Sequence, residues 1–208
     1  METNIEDLNK YQIIRKDARN CFVETKSDSF SYGKVHIVFS HYDMERPAGQ
    51  RQTNYVNIYI DIPEFLRLAN EALTGALHIR ARQHREKNDL TPLYEHFGGT
   101  SAERLAQFGR TRPDKKSLSR IVKLICGQKV DYLLIADSGP GETDTKGLIV
   151  PRFGKIPENH VSVGLNWRSL TELLLMTQTH YFAWLAARYV KNMDSEPPSY
   201  GSYSNIQS

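Results

Sequence analysis

Two stretches of this chain, 105 residues apart, switch hydrophobic period at the same point. Val56, Ile58 and Ile60 alternate with Tyr55, Asn57 and Tyr59, and Val161, Val163 and Leu165 alternate with His160, Ser162 and Gly164. That two-residue rhythm is the mark of a half-buried strand. Each run then gives way to helical spacing, from Ile62 in one case and from Trp167 in the other. Asp61 and Asn166 stand at the switch, where a short side-chain oxygen accepts from the first unpaired helical amides. Glu64 follows Asp61 at capping-box spacing, and Pro63 suits a first helical turn. A strand running straight into a capped helix, twice and so far apart, predicts two copies of a small domain-sized module.

The upstream halves extend the parallel. Cys21-Phe22-Val23-Glu24-Thr25, the turn 26–29 and the run 34–39 resemble Tyr132-Leu133-Leu134-Ile135-Ala136, the turn 137–141 and the run 146–150. Each set reads as a hairpin, because two β-rich runs flank turn formers. A short run precedes each hairpin, Tyr11-Gln12-Ile13-Ile14 in one and 121–126 in the other. The expected fold is α+β: two tandem pseudo-repeats of four antiparallel β-strands followed by an α-helix. A flexible N-terminus (1–9) should lead into the first repeat (10–87). A basic connector with a short helix (88–117), the second repeat (118–193) and a disordered polar tail (194–208) should follow. At 208 residues the two halves are expected to share one core rather than to fold apart.

Several function classes are set aside. The most apolar stretch, around 170–190, is interrupted by Glu172, Gln178, His180 and Arg188, short of the roughly 20 apolar residues that span a bilayer. The acidic N-terminus has no signal-peptide pattern, and the only two cysteines, Cys21 and Cys126, fall in predicted strands as buried free thiols. A cytoplasmic or otherwise intracellular protein, not a secreted one, is expected. His41, Asp43 and Glu45 alternate after a strand, but no second cluster completes a metal site. The segment 137–142 has neither a phosphate-loop Gly-Lys-Ser/Thr nor a G-x-S-x-G elbow. No catalytic residues, metal or cofactor are expected, and the protein is not expected to be an enzyme.

Charge is distributed unevenly. The net charge is +3, yet the segment 80–123 alone carries eleven basic and five acidic residues, leaving the remainder at −3. Concentrated positive charge in a connector suits phosphate backbones, whose condensed counterions are released on neutralisation. A solvated linker whose basic helix end complements the helix dipole is the plainer alternative. If Val56, Ile58 and Ile60 face the core, Tyr55, Asn57 and Tyr59 face outward, and Lys34 and His36 do likewise on their strand. Rings interleaved with polar and basic side chains on an open sheet offer a stacking surface for unpaired bases.

These residues lead to a family resemblance. Two copies of four strands plus a helix in one chain resemble the Whirly proteins, and each half resembles the single-stranded-DNA-binding domain of positive cofactor four. Tyr32-Gly33-Lys34-Val35-His36-Ile37-Val38-Phe39 is similar to the Whirly strand motif Lys-Gly-Lys-Ala-Ala-Leu-Ser-Val. The likeness lies in the Gly-Lys pair and the later apolar alternation, with departures at Tyr32, Val35 and His36. The resemblance implies binding of single strands, DNA before RNA, with little sequence preference and no enzymatic activity. In this reading Lys34, Arg110, Arg112, Lys115, Lys116, Lys146, Arg152 and Lys155 supply charge, while Tyr32, His36, Tyr55, Asn57 and Tyr59 line the base-facing surface. The last helix is apolar on most of its circumference, which predicts burial within the subunit and homo-oligomerisation. Two rival readings are a scaffold or adaptor that oligomerises through its helices, and a metal-dependent phosphate-processing enzyme.

Overall fold

The computed structural model describes residues 10–154 and 156–194; the expected flexible segment 1–9, and the expected tail from residue 195 on, lie outside the described residues. The described chain is α+β, with two antiparallel sheets and four helices. The first sheet is a meander of β1 (Gln12–Ala18), β2 (Cys21–Lys26), β3 (Lys34–Tyr42) and β4 (Gln52–Asp61). β4 runs directly into α1 (Ile62–Leu73). A break at Thr74 and Gly75 separates it from α2 (Ala76–Glu86), and Gly75 there takes φ 80°, a conformation cheap only for glycine. In the second sheet β5 (Tyr94–Thr100), β6 (Ser117–Cys126) and β7 (Tyr132–Thr143) pair in sequence order. Both β9 (Asn159–Leu165) and the short β8 (Ile149–Pro151) lie along β7, pairing with successive parts of it. α3 (Ala102–Gln107) sits between β5 and β6, and α4 (Trp167–Asp194) closes the described chain.

Alternation decides what is buried. Val56, Ile58 and Ile60 on β4, and Val161, Val163 and Leu165 on β9, all enter one core cluster shared by both sheets. The helical cover is exchanged between halves. α4 packs on β1 and β2 of the first sheet, α2 packs on β6 of the second, and α1 and α4 pack on each other. β4, an edge strand, crosses the second sheet and touches β5, β6, β7 and β9. Polar bonds pin the exchange. Thr25 and Thr177, both fully buried, meet at 2.6 Å between hydroxyls. The Thr177 hydroxyl donates to the Leu173 carbonyl at 2.7 Å, so Thr25 is the donor of the pair. Lys16 of β1 pairs with Glu172 of α4, and Cys126 Sγ donates to the Ala81 carbonyl of α2 at 3.4 Å.

The repeat is matched only loosely. The strand-to-helix junction recurs, as β4–α1 and β9–α4, but the upstream elements do not correspond as the sequence suggests. The 88–117 connector contains β5, the first strand of the second sheet, and the run 121–126 belongs to its second strand. The pair Gly98-Gly99 lies inside β5. Here Gly99 is a close approach, since a Cβ on it would lie 2.5 Å from the Leu118 carbonyl and 2.9 Å from Ile149. The run 146–150 yields strand only from Ile149, because Asp144 accepts the amides of Lys146 and Leu148 and closes a turn there.

Asn166 caps α4 through a 2.8 Å bond from the Ser169 amide. Asp61 does not cap α1: its carboxylate accepts from Lys34 Nζ at 2.6 Å. Glu64 does not close a capping box either, because it accepts from Tyr94 Oη at 2.8 Å and His96 Nδ1 at 3.0 Å on β5. Among the described residues, no helix is long and apolar enough to cross a membrane.

The Thr25–Thr177 bond makes a direct test of the exchanged packing. Thr177→Val should destabilise the protein by about 1–3 kcal/mol, because it leaves the Thr25 hydroxyl buried without its acceptor. The double variant Thr25→Val/Thr177→Val should recover part of that loss in urea unfolding.

Candidate functional site

The inner face of the first sheet is covered by α1 and α4, so the alternating residues define its opposite face. β3 places His36, Val38 and Ser40 in the middle of that face, and β4 places Tyr55, Asn57 and Tyr59 beside them, paired as Ser40–Tyr55, Val38–Asn57 and His36–Tyr59. The middle is closed by its own side chains and the flank is open. Val38 and Ser40 are buried, whereas Tyr55 is 42% and Tyr59 39% exposed.

His36 is 6% exposed and both of its ring nitrogens are engaged, Nδ1 by the Asp28 carboxylate at 2.9 Å and Nε2 by Asn57 Oδ1 at 2.7 Å. Its ring stacks on Tyr59 with centroids 4.5 Å apart. His36 and Asn57 therefore set the plane of the Tyr59 ring rather than meeting a ligand themselves. Burial raises the pKa of Tyr55 and Tyr59, the latter further through Asp28, so both remain neutral phenols at neutral pH.

The other end of the face holds a constellation absent from the sequence reading. The Arg15 guanidinium lies 3.6 Å from the Phe22 ring centroid and is steered by Asp17, whose carboxylate accepts from Nε at 3.0 Å. Phe22 and Tyr42 approach with centroids 6.4 Å apart. With Ser40, Met44, Arg51 and Gln52 these residues line an open groove of about 440 Å³. Arg51 Nε donates to the Arg46 carbonyl, and no carboxylate pairs with Arg51 among the described residues. A signal existed for the two rings: Phe22 on β2 and Tyr42 on β3 lie at the same outward parity as Tyr55.

The remaining candidates are scattered. Tyr32, 81% exposed, ends a short 3-10 turn (Phe30–Tyr32) just before β3. Lys34 is held by Asp61. Arg110, Lys115 and Lys116 lie exposed in the connection after α3, and none has a carboxylate partner among the described residues. Arg112 is clamped by Glu158 at 2.6 Å and Asp114 at 3.1 Å; these bonds raise its pKa, and Arg112 lowers that of Asp114. Lys146 sits in the turn between β7 and β8, Arg152 pairs with Glu142 at 2.6 Å, and Lys155 lies outside the described residues. His41 bonds Thr53 at 2.8 Å, while Asp43 holds the Glu45 amide and the Arg46 side chain in a turn. The structure thus gathers Lys34, His36, Tyr55, Asn57 and Tyr59 on one face and leaves Lys146 and Arg152 on the other sheet.

A smaller cleft of about 270 Å³, lined by Arg67, Glu71, Arg80, Glu95 and neighbours, answers part of its charge internally, with Arg80 bonded to Glu71 at 2.7 Å. Fold and face together define an α+β protein with one open, aromatic and arginine-bearing sheet surface. Family models, curated proteins and solved structures offer no match to the chain.

The His36 cluster has a measurable weight. His36→Ala should lower stability by about 1–3 kcal/mol, since it strands Asn57 and Asp28 and removes the support of Tyr59. Thermal unfolding at neutral pH reads this directly.

Proposed function

We propose that the protein binds single-stranded nucleic acid, DNA in the first instance, with low sequence preference and without covalent chemistry. DNA transactions such as replication, recombination, transfer or transcription regulation would use such an activity. One observation carries the reading: a single sheet face presents exposed Tyr55 and Tyr59 along β4 and, at one end of the face, a groove in which Arg15 and Arg51 accompany Phe22 and Tyr42. Every base has a π-face, so rings on a sheet stack bases without reading sequence, each stack being worth roughly 1–3 kcal/mol. In this reading the two sheets, each ending in a strand-to-helix junction, form a Whirly-like duplication. Phosphates fall to Arg51, Arg110, Lys115 and Lys116, whereas Lys34, Arg112 and Arg152 are answered by carboxylates and contribute less.

Fluorescence anisotropy with labelled single-stranded and duplex DNA at two salt concentrations tests this. Single strands should bind more tightly, and Tyr59→Ala should weaken them roughly ten-fold, in line with the loss of one stack. Lys115→Glu/Lys116→Glu should weaken binding and flatten its salt dependence, while Arg112→Gln should leave it nearly unchanged. Equal, negligible binding to both DNAs overturns the proposal.

The second reading, a scaffold that self-associates, is favoured by α4. Leu170, Leu173, Leu174 and Thr177 are buried against the body, yet the opposite side carries Leu175, Thr179, Phe182, Ala186 and Tyr189 at alternating spacings of four and three, with Phe182 49% and Tyr189 63% exposed. That is the spacing of a helix-pairing seam. Light scattering should find a dimer or larger assembly that Phe182→Glu/Tyr189→Glu converts to monomer. A monomeric parent protein removes this reading.

A further inference from the structure

The open groove at the end of the first sheet's outer face is built from all four strands of that sheet. Arg15 of β1, Phe22 of β2, Ser40 and Tyr42 of β3 and Gln52 of β4 line it, and the β3–β4 connection adds Arg51. Gln52 steadies it by donating to the buried Ser40 hydroxyl at 2.9 Å. At about 440 Å³ the groove falls in the range of small-ligand sites, roughly 300–1,000 Å³, and suits one nucleotide rather than a length of strand.

Its two arginines are held in different ways. Asp17 takes Arg15 through Nε at 3.0 Å and Nη2 at 2.5 Å, so that charge is answered within the protein. The guanidinium is left over the Phe22 ring, 3.6 Å from its centroid, and the two contacts fix its plane. A guanidinium plane stacks an unpaired base much as a ring does. Arg51 is the reverse case. Its Nε donates to the Arg46 carbonyl at 3.1 Å and its own carbonyl accepts the Asp43 amide at 2.8 Å, which anchors the residue in the hairpin loop. Among the described residues its Nη groups make no hydrogen bond and no carboxylate meets its charge. An anchored guanidinium with free Nη donors is suited to phosphate oxygens.

We propose that this groove is a self-sufficient nucleotide subsite, in which a base stacks on the Arg15 plane beside Phe22 and Tyr42 while Arg51 binds its phosphate. The subsite is continuous with the rest of the face. Ser40, 1% exposed, is the cross-strand partner of both Phe22 and Tyr55, so those two rings stand two strand spacings apart, about 10 Å. A strand anchored in the groove therefore reaches Tyr55 within a few nucleotides. That continuation rests on the function proposed above; the nucleotide subsite does not.

The test follows the Arg15 and Arg51 Nε–Hε resonances of the full chain, both hydrogen-bonded protons, during separate titrations with thymidine monophosphate, thymidine and inorganic phosphate. Thymidine monophosphate should move both resonances and bind roughly ten-fold more tightly than thymidine or phosphate, because it alone makes both contacts. In anisotropy with an oligothymidylate, Arg51→Gln should weaken binding and reduce the salt slope by about 0.7, one phosphate's worth on a single strand. Arg15→Lys keeps the charge beside Asp17 but has no plane, so it should weaken binding roughly ten-fold at an unchanged slope. Thymidine monophosphate that binds no more tightly than inorganic phosphate, or that leaves Arg51 unmoved, overturns the subsite even where strands bind through Tyr55 and Tyr59. An Arg15→Lys variant equal to wild type overturns the stacking role of Arg15. A nucleotide shift in a chain that binds no single strands keeps the subsite and overturns the strand reading.

Discussion

Each sheet of this protein is covered by a helix from the other half of the chain, and the rest of the structure depends on that exchange. A four-stranded sheet with one short helix buries too little apolar surface to stand alone. With α4 laid on β1 and β2, α2 on β6, and the two sets joined through α1 and the crossing strand β4, the inner faces merge into one core. The hydroxyl pair of Thr25 and Thr177 helps fix the register of that exchange, because a slip of one residue would bury the Thr25 hydroxyl without its acceptor. Once both inner faces are committed to the core, the outer sheet faces and their rims are the surfaces left for ligands.

Those two outer faces are not equivalent. On the second sheet Gly99, Gly139 and Gly141 form a trough, and the connection between β7 and β9 lies in it. A Cβ on Gly139 would come within 2.7 Å of the Phe153 ring, and one on Gly141 within 2.8 Å of Ile149. On the first sheet no such strap exists among the described residues, and Tyr55 and Tyr59 stay open. The position that holds Tyr59 in the first half holds Gly164 in the second, which packs near Val130. A loosely duplicated chain has thus kept one face for rings and closed part of the other with its own backbone.

How much of this is legible in sequence follows from the range of each interaction. The junctions at Asp61 and Asn166 are legible because alternation and helical spacing are local. The outward parity of Tyr55 and Tyr59 follows from the same rule. β5 is hidden because Gly99 serves a contact with Leu118 and Ile149 that no local rule anticipates. Likewise Asp61 looks like a cap until Lys34 is brought beside it by strand pairing. Counting cations overstates the binding surface for the same reason: Arg112 meets Glu158, 46 residues away, and Lys34 meets Asp61 across the sheet.

The exchanged helices also set the order in which the chain becomes safe during synthesis. The first sheet is complete at Asp61, but its cover α4 does not begin until Trp167. At the usual 5–20 residues per second, the apolar side of β1 and β2 waits on the order of ten seconds before its partner leaves the ribosome. Contacts as distant as Thr25 to Thr177 also close slowly, because a long loop must be ordered before they repay it. A chain truncated before α4 would leave β1 and β2 without their helical cover.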